Sequence, residues 1–77
     1  MSTTDEAIRR IRDRVARDRP AAVAGYAPFW ARLIDLPEAT TEAALETLVA
    51  GGELRRQPLD GRAFYIADPP HAPGRGA

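Results

Sequence analysis

Apolar residues recur along this chain at helical spacing up to Gly51-Gly52, and at extended spacing after it. Ile8, Ile11 and Val15 fall three and four apart, which puts them on one face and predicts a helix over residues 4–18. Thr3 and Glu6 have capping-box spacing at its start, and Asp5 and Glu6 sit where the positive end of the helix dipole favours anions. Pro20 stops this helix at about Arg19. The short apolar run at residues 21–25 fits either a connector or a brief strand. A second helix is predicted from Pro28 to Asp35, with Phe29, Leu33, Ile34 and Leu36 on its apolar face, Trp30 at the edge of that face, and Pro37 ending it. Thr40 or Thr41 caps a third helix whose first turn holds Glu42 and whose buried stripe is Ala44, Leu45, Leu48 and Val49. Gly51-Gly52 is its stop, because glycine accepts the left-handed conformation that ends helices.

Two extended runs follow, at residues 53–57 and 62–67, joined by Pro58-Leu59-Asp60-Gly61 with Asp-Gly as the clearest turn signal. Alternation along this hairpin predicts Leu54, Phe64 and Ile66 toward the core, and Arg55, Tyr65 and Arg62 away from it or at the tip. From Asp68 onward the composition is that of a disordered tail, which divides the chain into a domain over residues 1–67 and a Pro/Gly-rich tail over 68–77.

The predicted order is helix, helix, helix, hairpin, an α+β arrangement. Residues Phe29–Leu36, the Leu36-Pro37-Glu38 turn, Thr41–Val49, and above all Leu45-x-x-Leu48-Val49-x-Gly51-Gly52-Glu53-Leu54 resemble the winged helix-turn-helix superfamily. A third helix ending in a leucine pair and glycine, then a strand and a turn into an aromatic strand, is similar to that family's helix-to-wing junction. The resemblance spans roughly residues 5–67 and singles out no family within the superfamily. It implies three helices followed by a two-stranded β-hairpin wing.

Composition narrows the functional classes. Seventy-seven residues give room for one compact core. The absence of cysteine excludes disulfides and thiolate metal sites and fits a reducing cytosol. The polar, acidic N-terminus predicts no signal peptide, and the stretch from Ala21 to Trp30, broken by Gly25 and Pro28, is too short to span a bilayer. A cytoplasmic protein without a membrane partner is expected. The 11 basic and 11 acidic side chains cancel, which weakens a nucleic-acid reading, since phosphate neutralisation supplies much of that affinity. Every basic residue is arginine.

No catalysis, cofactor or metal is expected. His71 lies in the tail with nothing to orient it, no Gly-Lys-Ser/Thr phosphate loop follows Gly51-Gly52, and no ligand cluster has metal spacing. Two binding functions follow. Members of the winged-helix superfamily commonly place the third helix in the major groove and the wing on backbone or minor groove, so the resemblance implies double-stranded DNA as partner and transcription regulation as role. Arg55, Arg56 and Arg62 of the wing, with Thr40, Thr41 and Thr47 of the third helix, are then the nucleic-acid-binding residues. The alternative is a protein-interaction module on the same scaffold, because the third helix exposes Glu42 and Glu46 and no basic residue. Its partner-binding residues are Glu42 and Glu46, with Tyr26 and Trp30 as an aromatic pair beside Pro28; filling the core is the competing role for that pair. The arginines of the first helix have acidic neighbours at Asp5–Arg9, Glu6–Arg10, Asp13–Arg17 and Arg14–Asp18, pairs that describe a solvated face. A homodimer is compatible with either function, since a single winged helix reads only a half-site.

Overall fold

The computed structural model describes residues 2–18 and 22–67. The elements are α1 (Thr3–Asp18), β1 (Val23–Tyr26), α2 (Ala27–Ile34), α3 (Glu38–Ala50), β2 (Arg55–Leu59) and β3 (Arg62–Ala67). The result is a small α+β domain of three helices and a three-stranded antiparallel sheet in the order β1-β3-β2. Of the two readings open for the apolar run at 21–25, connector or brief strand, the structure has the strand: Val23–Tyr26 adds to the hairpin, paired to β3 from Val23↔Ala67 to Tyr26↔Phe64. The expected tail from Asp68, His71 within it, and the predicted stop at Arg19-Pro20 lie outside the described residues.

Local chemistry sets the helix ends. At the start of α1 the Ser2 hydroxyl accepts the Asp5 N–H at 3.0 Å and the Asp5 carboxylate accepts the Ser2 N–H at 3.5 Å. The reciprocal cap therefore sits one residue upstream of the expected Thr3–Glu6 pair, and this leaves Glu6 for Arg9 and Arg10. Asp35 adopts the left-handed conformation (φ 58°, ψ 53°) at the end of α2. Arg10 of α1 donates to the terminal carbonyls of Ile34 (2.9 Å) and Asp35 (3.4 Å), tying two helices together at a helix end where carbonyls lack intrahelical partners. α3 begins straight after Pro37, so Thr40 and Thr41 lie within the helix and do not cap it. At its far end the Glu53 N–H reaches Leu48 O (2.9 Å) and the Gly52 N–H reaches Val49 O (3.0 Å), the paired bonds of a Schellman stop, with Gly52 at φ 82°.

α3 packs against both α1 and α2, and the sheet closes over the helices. Ile11, Leu45, Leu48, Trp30 and Tyr65 are the largest fully buried apolar side chains. Trp30 is central to this core and not at its edge. Its indole N–H is shared between Gly25 O (3.1 Å) and Tyr65 O (3.3 Å), which satisfies the polar atom and stitches α2 to β1 and β3. With Trp30, Ala31 and Ile34 turned inward, Phe29 is left exposed, contrary to its predicted place on the apolar face. The facing of β3 is likewise reversed: Tyr65 and Ala67 are buried, while Phe64 and Ile66 lie half-buried on the other face. The inward row Ala63, Tyr65, Ala67 alternates small and large side chains, so one ring fills the space under the helices.

β2 and β3 join through a two-residue turn in which Asp60 (φ 54°) and Gly61 (φ 74°) are both left-handed, the conformation that matches strand twist in tight hairpins. Pro58, expected in the turn, sits within β2, an edge strand that tolerates a missing N–H.

Candidate functional site

Two surfaces carry the side chains singled out above. The first is the outward side of α3. Glu38, Glu42, Thr47 and Ala50 are exposed there and Glu46 is half-buried. Glu46 is held from two directions: Arg56 Nη1 of β2 donates to one carboxylate oxygen at 2.7 Å, and the Tyr65 hydroxyl of β3 donates to the other. The Tyr65 hydrogen bond, helped by Arg56 and opposed by burial, holds the Glu46 carboxyl below the usual carboxylate range. Burial, reinforced by Glu46, pushes the Tyr65 phenol well up. Arg56 and Glu46, assigned above to different partners, are thus brought together on one another.

The threonines expected on DNA are placed less favourably. Thr41 is fully buried and donates to Pro37 O at 2.9 Å, which removes it from any surface. Helix α3 starts three residues before it, and that start turns its side chain inward. Thr40 is half-buried, and Thr47 is exposed with its hydroxyl proton turned back to Ala43 O at 3.0 Å. Trp30, fully buried, offers no surface to a partner.

The second surface is the outward face of the sheet. Cross-strand register sets Ala24, Ile66 and Arg55 in one row, Tyr26, Phe64 and Gln57 in the next, and Leu59 opposite Arg62 at the tip. Tyr26 and Phe64 meet edge to face with centroids 5.1 Å apart, and the Tyr26 hydroxyl donates to Leu59 O at 3.3 Å. The Arg62 guanidinium lies 4.5 Å from the centre of the Tyr26 ring. Where β1 turns into α2, an open groove of about 330 Å³ is lined by Tyr26, Pro28, Phe29, Arg32 and Arg62. Of the expected residues, Tyr26, Arg55 and Arg62 share this face.

Sequence reasoning missed Phe29, Arg32, Leu59 and Phe64 here. The available signal was that β3 is apolar at consecutive positions, so one of its two faces had to present apolar side chains outward. On α1, Glu6–Arg10 and Arg14–Asp18 pair at 2.8 and 3.5 Å as expected, while Arg9 reaches Glu6 and Asp13, and Arg12 crosses to Glu53 before β2.

No helix is long and apolar enough to cross a membrane, and no three His, Cys, Asp or Glu side chains gather to hold a metal, both among the described residues. No family model, curated protein or solved structure matches the chain.

Proposed function

We propose that this chain is a non-enzymatic winged-helix binding domain that docks a protein and does not read DNA with its third helix. The winged-helix part is supported by the element order α1-β1-α2-α3-β2-β3, with a tight α2–α3 link and a hairpin as the wing. The choice of a protein rests on one observation. The solvent side of α3 carries Glu38, Glu42 and Glu46 and no basic side chain, and the wing arginine nearest it, Arg56, is bound to Glu46. A helix so charged is repelled by the phosphates flanking a major groove, and the cation that would offset the repulsion is already engaged. DNA binding, with transcription regulation as its role, is the competing reading. It is favoured by Arg55 and Arg62 on the exposed hairpin.

An amide NMR titration with a random-sequence DNA duplex, at low and near-physiological salt, separates the two. The expected result is weak shifts confined to arginines and abolished by salt. Shifts across Thr40–Thr47 and Arg55–Arg62 that persist at physiological salt would replace the protein reading with DNA.

A further inference from the structure

We infer that the groove at the β1–α2 corner, with the outer sheet face beside it, is the docking surface, and that it takes an acidic segment of another protein anchored by an apolar side chain. This rests on the protein-binding reading and adds to it a place and a partner chemistry. Among the described residues, Phe29 and Leu59 are the exposed large apolar side chains, at 43% and 40% of full exposure, and both border this face. Among the described residues the groove is lined by two arginines, Arg32 and Arg62, and no acidic residue. An apolar floor with a cationic rim is complementary to an apolar anchor flanked by carboxylates.

The geometry of Arg62 sharpens this. The Arg62 guanidinium sits over the Tyr26 ring, 4.5 Å from its centre, and a guanidinium held by a cation–π contact still has N–H groups with which to grip a carboxylate. Arg32, exposed on α2, faces the same groove from the other side. A single-stranded nucleic acid fits less well. It needs open aromatic faces for base stacking, whereas Tyr26 is covered by Arg62 and abutted by Phe64, and Phe29 packs edge to face on Trp30 with centroids 6.0 Å apart.

The test is selection of random twelve-residue peptides displayed on phage against the full chain, followed by titration of the enriched peptides. The expected peptides combine Asp or Glu with an aromatic or leucine residue. They shift amides at Tyr26–Arg32 and Arg62–Phe64, and lose at least about tenfold in affinity with Arg32→Glu and with Arg62→Glu. Arg32→Glu, an exposed change away from the hairpin, keeps the test decisive if Arg62→Glu disturbs the wing. Absence of enrichment, enriched peptides without acidic residues, or affinities unmoved by either variant would overturn the proposal. Peptide shifts on α3 instead would overturn the place but leave protein binding standing. Groove shifts caused by a dT12 oligonucleotide at physiological salt would assign the face to nucleic acid. Groove shifts that grow with protein concentration alone would assign it to a second copy.

Discussion

Gly25 has no room for a side chain, since a Cβ there would lie 2.3–2.9 Å from three side-chain atoms of Phe29. Gly25→Ala is expected to cost about 1–3 kcal/mol in urea denaturation, as forced overpacking does. Adding Phe29→Ala should cost less than the sum of the two single changes, because the two closest of the three crowded atoms leave with the ring and only the Cβ remains. At Glu46 the consequence is pH dependence. Its carboxyl titrates lower in the folded chain than in the unfolded one, so the stability it contributes is complete above the ordinary carboxylate range and is lost as pH falls through it. Tyr65 acts in the opposite direction. Its phenol is raised on folding, so stability is full below about pH 10 and declines as pH rises further and the unfolded chain ionises. Thermal melts across pH 8–11.5 should therefore show Tyr65→Phe less stable by about 1–2 kcal/mol at the low end, with the gap to the parent narrowing toward the high end. A constant gap would remove the linkage.

At the scale of elements, the hairpin and the end of α3 each depend on a residue held at positive φ, Gly61 (74°) and Gly52 (82°). Both have open space around the Cβ position, so Gly→Ala isolates backbone strain from packing. Each change should cost about 1 kcal/mol in equilibrium unfolding. These two stops were legible in the sequence, as were all three helices, because turn and cap chemistry is local. What was not legible is which way apolar-rich elements face. In α2 nearly every position is apolar, so periodicity leaves the facing of Phe29 and Trp30 open. Trp30 is the one that turns inward, where its N–H meets two carbonyls and its polar atom is satisfied despite full burial. In β3 the run Ala63-Phe64-Tyr65-Ile66-Ala67 can present either alternate set to the helices. The third strand and the Glu46 carboxylate, both remote in sequence, decide it. The candidate docking face was hidden by the same ambiguity: reading Phe64 and Ile66 as core removed the surface they help to form.

For the whole molecule, Trp30 joins helices to sheet, so its fluorescence reports their contact while far-UV circular dichroism reports the helices. Coincident transitions by the two probes are expected on heating, the behaviour of one cooperative unit. A fluorescence transition at lower temperature would show the sheet separating first. Charge is arranged with the same economy of contacts: acidic side chains gather on α3 while Arg32 and Arg62 line the aromatic groove, so a net charge of zero conceals an uneven surface. The sheet order also bears on how the chain is made. The middle strand, β3, is the last of the three strands to be synthesised, and neither β1 nor β2 has a strand neighbour until it arrives. A nascent chain arrested with residue 61 just outside the exit tunnel holds all three helices, which can pack on one another, and two strands with no strand between them. Residues 62–67 then join the two edge strands and bring Tyr65 and Ala67 into the core, so closure of the sheet waits on this segment.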